Sequence, residues 1–169
     1  MIASVLSKKS AAGSTHVVID IPVGKTAKVR TQENAEKLKY YFKVIGAALG
    51  LKVRVIITDG SQPVGRGIGP ALEAMDVLSV LRNETTAPQD LKERSLLLAG
   101  EVLELAGIAK QGEGILKARH ILESGKAYQK FESICRAQGA FKEPRFAQHK
   151  VDILSAANGT VVEIDNRKL

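Results

Sequence analysis

Apolar positions recur at helical spacing from the start of the chain. Ile2, Val5, Leu6 and Ala12 lie on or near one stripe, which predicts a helix over Ile2 to Ala12. Gly13 suits its C-cap, and Lys8 and Lys9 suit the negative end of the helix dipole. Val17-Val18-Ile19-Asp20-Ile21 then loses the helical period. It is β-branched, scarcely alternates and stops at Pro22, as expected of a strand covered on both faces. Thr31 can cap a second helix that reaches about Leu49, with Leu38, Tyr41, Phe42, Ile45, Ala48 and Leu49 at helical spacing and Gly50 as its stop. Lys52 to Thr58 reads as the next strand. Strand, helix and strand within ~40 residues predict a βαβ unit and a parallel pair.

Beyond a glycine-rich loop from Asp59 to Gly69, Pro70 stands at a first-turn position and Leu72, Met75, Leu78 and Leu81 form a helical stripe. Thr86 to Gln89 resembles a capping box for a helix through Leu105, with Leu91, Ser95, Leu98, Val102 and Leu105 as its stripe. Shorter helices are expected at Ile115 to Glu123 and Ala127 to Arg136. The texture changes at Gly139: residues 141–149 read as a linker, and Val151 to Leu154 and Thr160 to Ile164 as two strands about an Ala-Ala-Asn-Gly turn. The expected class is α/β, a central and mostly parallel sheet with flanking helices to about residue 140. The strands that follow occupy too short a stretch for a core of their own.

Composition narrows the partners. Of 169 residues, 44% are hydrophobic and 25% charged, an ordinary globular balance. No apolar run approaches the ~18–20 residues of a membrane span, and no signal architecture opens the chain, so no membrane partner and a cytoplasmic location are expected. Cys135 has no second cysteine for a disulfide. The net charge of +7 points to an anionic partner. Basic residues are interleaved with acids and aromatics are only 4% with no Trp, so a base-stacking nucleic-acid platform is disfavoured against a small anionic ligand.

Candidate chemistry gathers at strand ends. Ser61 to Gly69 (Ser-Gln-Pro-Val-Gly-Arg-Gly-Ile-Gly) joins a strand to a helix, the end of an open α/β sheet where ligands bind. It lacks the later glycine of a dinucleotide fingerprint, and glycines of this kind also simply make tight turns. Gly24-Lys25-Thr26 fails as a P-loop, because the motif's upstream Gly would fall at Ile19. Lys25 and Lys28 still make that loop cationic, able to contact a phosphate, although solvated surface lysines are the commoner case. Ser4 and Lys8 are four apart and share a helix face, as an ordinary polar face would. His16, His120 and His149 have no metal-ligand spacing, and Asp20, Asp59 and Asp76 can cap helices or bind a cation.

Ala3-Ser4-Val5-Leu6-Ser7-Lys8-Lys9 with Ala11-Ala12-Gly13 resembles the Ser-x-x-x-Lys-Lys-x-Ala-x-Gly helix of the thymidine and pyrimidine-nucleoside phosphorylases. Thr58-Asp59-Gly60-Ser61-Gln62-Pro63-Val64-Gly65 through Gly69-Pro70-Ala71-Leu72-Glu73 resembles that family's Thr-Asp-x-x-Gln-Pro-x-Gly-x-x-x-Gly-x-Ala-Leu-Glu signature. Val23-Gly24-Lys25-Thr26-Ala27-Lys28-Val29 departs from the usual thymidine phosphorylase Val-Gly-Ser-Gly-Ala-Phe-Met. It is closer to the branch holding AMP phosphorylase and the proteins called putative thymidine phosphorylases.

The resemblance implies phosphorolysis of a nucleoside or nucleotide, with orthophosphate as co-substrate and no required cofactor. It implies base contacts from Ser4 and Lys8, a nucleotide contact from Lys28, and potassium on the carbonyls of Val64 and Gly67 with the carboxylate of Asp76. Asp76 replaces a longer Glu, and all the donors are oxygen. It assigns no catalytic residue here, since the family's Gly-rich phosphate loop and acidic proton donor lie upstream of the region matching Ile2. By the same resemblance, residues 1–13 are a helix of an N-terminal helical domain, 14–140 part of the α/β catalytic domain, and 141–169 a linker and the opening of a β-rich C-terminal domain. The chain is accordingly expected to be an internal piece, inactive alone, of a parent that is a homodimer or higher homo-oligomer. A non-catalytic nucleotide-binding or interaction module is the alternative.

Overall fold

The computed structural model describes residues 2–169. The helix α1, Ile2–Ala11, leads into the strand β1, His16–Val23. After the helix α2, Gln32–Ala48, comes the strand β2, Lys52–Asp59, and then four helices: α3, Pro70–Leu81; α4, Gln89–Leu105; α5, Gly114–Glu123; and α6, Lys126–Ala137. The two strands pair in parallel, with Val17 opposite Val53 and Ile21 opposite Ile57. The expected βαβ unit is therefore present, as a two-stranded sheet.

Register sorts the side chains by face. Val17, Ile19 and Ile21 of β1 and Val53, Val55 and Ile57 of β2 share the side that packs with Leu6 of α1 and Ala35, Leu38 and Phe42 of α2. Leu6 is fully buried. The opposite side carries Val18, Asp20, Arg54 and Thr58, only half-buried. Arg54 donates to Glu101 at 2.6 Å and to Glu104 at 3.2 Å on α4. Coverage on both faces thus holds, but one cover is apolar and the other ionic. A second core lies among the later helices, where Val80, Ala87, Leu96, Ala118 and Leu122 are buried together.

Local signals explain most boundaries. Thr31 Oγ1 accepts the Asn34 N–H at 3.3 Å, the expected cap of α2. Gly13 closes α1 with φ +72°, a left-handed conformation that favours glycine. Pro70 occupies the first turn of α3.

Several expectations fail for identifiable reasons. Pro22 does not end β1 but lies inside it, as a strand with a partner on one side alone can allow. The capping box before α4 does not form: Pro88 is the N-cap, and Gln89 donates instead to the Ala87 carbonyl at 2.9 Å. The α4 stripe is also rotated, since Leu96 and Gly100 are buried while Ser95 and Val102 are exposed. On α2, Phe42 is buried whereas Tyr41 and Ile45 of the predicted stripe are exposed. Residues 151–154 and 160–164 form no strand. Val151, Ile153 and Val162 are almost wholly exposed there, and a short apolar run with no partner to pair with or pack on gains too little to order a ladder.

Candidate functional site

The carboxyl ends of β1 and β2 bring two loops into backbone contact. The Gly60 N–H donates to the Val23 carbonyl at 2.8 Å. A Cβ on Gly24 would stand 2.6 Å from the Gly60 carbonyl carbon and 2.7 Å from the Ser61 nitrogen, so glycine is needed for the approach. Beneath this junction, Thr58 Oγ1 donates to Asp20 Oδ1 at 2.7 Å and receives a hydrogen bond from Arg94 Nη1 at 2.9 Å. Arg94 lies 3.4 Å from Asp20 Oδ2 and donates through Nη2 to the Asp59 carbonyl at 2.6 Å. The guanidinium of α4 thereby ties both strand ends together, a planar multi-donor role that Arg can fill and Lys cannot. Asp59 accepts the Ser61 N–H at 2.8 Å; that backbone bond, joined by the Ser61 hydroxyl, holds its carboxyl below the usual range.

The glycine-rich loop is shaped by carboxylates on the following helices. Asp76 Oδ2 accepts the N–H groups of Arg66 and Gly67 at 2.6 and 2.7 Å, and Asp90 accepts that of Gly65 at 2.9 Å. The Arg66 guanidinium donates to the Thr86 carbonyl. Glu73 accepts the Gly69 N–H at 3.0 Å at the start of α3. Asp76 thus meets the loop at the backbone N–H groups of Arg66 and Gly67. Its carboxylate already accepts two backbone donors on one oxygen.

A groove of about 440 Å³ runs along β1, with Val5 and Lys9 of α1 on one side, Leu38 and Phe42 of α2 on another, and Asp20 and Lys28 also lining it. A second groove, about 500 Å³, shares Lys28, Val29 and Leu38 and adds Arg30, Asn34, Lys37 and Tyr41. Lys28 therefore stands where the two meet. Lys37 is partly neutralised by Glu33 at 2.6 Å, an exposed pair. A third groove, about 510 Å³ among α3, α4, α5 and α6, has Ser95 as its sole polar side chain and offers little chemistry.

Ser4 and Lys8 are both exposed on α1 and line none of these grooves. Their neighbours Val5 and Lys9 face the one that holds Lys28. Sequence reasoning missed Lys9, whose signal was adjacency within the Lys8-Lys9 pair. It also missed Arg94, which has no local pattern and lies 36 residues from Thr58. Among the described residues, no three His, Cys, Asp or Glu side chains converge as a metal site, and no helix is long and apolar enough to cross a membrane.

No family model matches the chain. Curated relatives do, along its whole length. It is 59% identical over 169 residues to the "Putative thymidine phosphorylase" of Parvibaculum lavamentivorans, covering 34% of that protein. It is likewise 59% identical to the protein of the same name from Tolumonas auensis, covering 34%, and 57% identical to that of a Polaromonas species, covering 33%. The chain spans about a third of the length of these relatives. With the helix motif, the strand-end signature and this identity all in one register, the chain is similar along its whole length to about a third of each of these proteins named putative thymidine phosphorylase.

Proposed function

We propose that the protein carrying this chain is a nucleoside phosphorylase, a pentosyltransferase acting on thymidine or another pyrimidine nucleoside. Orthophosphate attacks the anomeric carbon, a C–O bond forms as the glycosidic C–N bond breaks, and the base leaves with the electron pair and takes up a proton. The products are free base and a (deoxy)ribose 1-phosphate. The observation that carries the reading is whole-chain identity of 53–59% with relatives named for thymidine phosphorylase. Positioning of phosphate and sugar supplies most of the rate in such a reaction, together with stabilisation of the departing base.

Within that reading the groove along β1 is the substrate-side surface. Lys28 contacts an anionic part of the substrate, Lys9 adds positive potential, and Ser4 and Lys8 meet the base from the adjoining face of α1. One specific observation favours a nucleoside monophosphate as the alternative substrate: Lys28 lines one groove with Lys9 and the adjoining one with Arg30, and a lysine at that meeting point suits a 5′-phosphate. The carbonyls of Val64 and Gly67 with the Asp76 carboxylate fit a monovalent cation in donor chemistry, and such an ion would brace the loop. No cofactor is required. Residues 1–13 belong with a helical domain and 141–169 lead into a further domain. The whole protein is a cytoplasmic homo-oligomer without a nucleic-acid partner, and the 169-residue stretch alone turns over negligibly.

The test is phosphate-dependent release of base from thymidine, uridine and AMP by the longer protein. Lys28→Met is expected to raise the KM for AMP about tenfold, the worth of ~1.4 kcal/mol, while thymidine shifts less than twofold. No base release from any of the three would end the enzyme reading in favour of a non-catalytic module.

A further inference from the structure

Three consecutive carbonyls at the exit of β2 are each held by a side-chain donor. Arg94 of α4 donates to the Asp59 carbonyl at 2.6 Å, Asn166 to that of Gly60 at 3.3 Å, and Gln62 to that of Ser61 at 2.7 Å. Gln62 Oε1 in turn accepts the Ile164 N–H at 2.9 Å. Residues 164–166, more than a hundred positions along the chain, therefore grip the strand-end loop at two points. The grip is local: much of the chain from 147 to 163 is exposed, whereas Asp165 and Asn166 are half-buried.

Gly60 also abuts Pro22, Val23 and Gly24, so whatever fixes Gly60 bears on the loop that carries Lys28. Two buried side-chain oxygens flank this junction without a partner, Asn166 Oδ1 and Thr26 Oγ1. Unpaired buried polar atoms are costly, and they are tolerated where a site is built for more than stability.

We propose that Asn166 and Gln62 are positioning residues for the site at the sheet's carboxyl end. They hold the Gly60–Gln62 bend, and through the Gly24 contact they set the Lys28 loop against the groove. Substrate positioning in this assignment rests on the phosphorolysis reading; the coupling of the two loops does not. Asn166 is chosen over Arg94 because it comes from outside the α/β unit and makes one assigned bond, so its removal leaves both cores untouched.

The experiment has two arms. In the 169-residue chain, amide hydrogen exchange is followed at Gly60–Gln62 and at Gly24–Val29 in Asn166→Ala, Asn166→Asp and Gln62→Glu. Loss of one net hydrogen bond is expected to speed exchange about fivefold in both loops. Asn166→Asp should exceed Asn166→Ala, because a carboxylate cannot donate and sets negative charge against the Gly60 carbonyl. Gln62→Glu should fall between, keeping the acceptor for Ile164 and losing the donor to Ser61. Protection through β1 and α2 should stay within twofold. Unchanged exchange in both Asn166 variants, or uniform acceleration through β1 and α2, would overturn the assignment.

In the longer protein, the same Asn166 variants should raise the substrate KM about five- to tenfold with kcat within twofold. A drop in kcat with KM fixed would count against positioning. If the unmodified longer protein releases no base, the phosphorolysis reading fails, and the loop grip is judged by the exchange arm.

Discussion

The two faces of the small sheet are held in different ways. One face buries Val17, Ile19, Ile21 and Val55 against Leu6, Ala35 and Phe42, all of them apolar. The other sets Asp20, Arg54 and Thr58 against Arg94, Glu101 and Glu104 of α4. Apolar burial is large and non-directional, so it settles that α1 and α2 cover the sheet without demanding an exact angle. Hydrogen-bonded charges are directional and expensive to leave unmet, so they determine how α4 lies and where the strand ends stop. The site loops hang from the second face. The placement of these loops is therefore set by the more exacting layer.

The sharpest break in that contrast is Phe42→Ala. Removing a buried aromatic ring from the apolar side should cost about 3–5 kcal/mol, read by denaturant unfolding, with little selectivity for the loops. Arg94→Met tests the other side. It should cost about 2 kcal/mol, leaving Asp20 and the Asp59 carbonyl short of a donor. Its loss should concentrate in amide exchange at residues 59–62, and a double-mutant cycle with Asp20→Asn should show coupling between them.

Acid titration gives the smallest effect. The N–H of Gly114, aided by Arg54 and the N–H of Gly112, holds the Glu104 carboxyl below its ordinary 4.5. A depressed folded-state value means the contribution is fully present above the unfolded value and disappears as pH falls through the folded one. Stability should therefore decline as pH drops below about 4.5. Glu104→Gln should flatten that decline, measured as the unfolding midpoint against pH. An unchanged slope would remove Glu104 from the ionic layer.

Legibility follows the range of the contacts. Helices α1, α2, α3, α5 and α6 could be read within about a residue or two, because apolar period, capping residues and Pro or Gly punctuation are local. The parallel pair followed from strand, helix and strand in close succession. The strand-end loop was legible as a glycine-rich connection from β2 to α3 and as a sequence signature. Asp76, nine residues beyond Gly67, accepts the Gly67 N–H, a short-range contact within one strand-to-helix connection. The orientation of α4 was not legible. Thr86 and Gln89 carry a capping pattern, but Pro88 takes the cap and the helix rotates to bury Leu96 and Gly100. The apolar residues at 151–164 read as strands because alternation reports what a segment can do, not whether a partner is there.

By itself, the sequence determined the βαβ unit, the glycine loops at its carboxyl end and the family resemblance, because spacing, chirality and turn chemistry act over a few residues at a time. Tertiary structure decided that Lys9, not Lys8, faces the groove with Lys28. It decided that Arg94 joins Asp20 to Thr58, and that Asn166 reaches back 106 residues to Gly60. Those choices depend on how two cores pack around one strand pair. The angle of a helix on a sheet and the path of a returning chain are properties of that packing, and no local pattern encodes them.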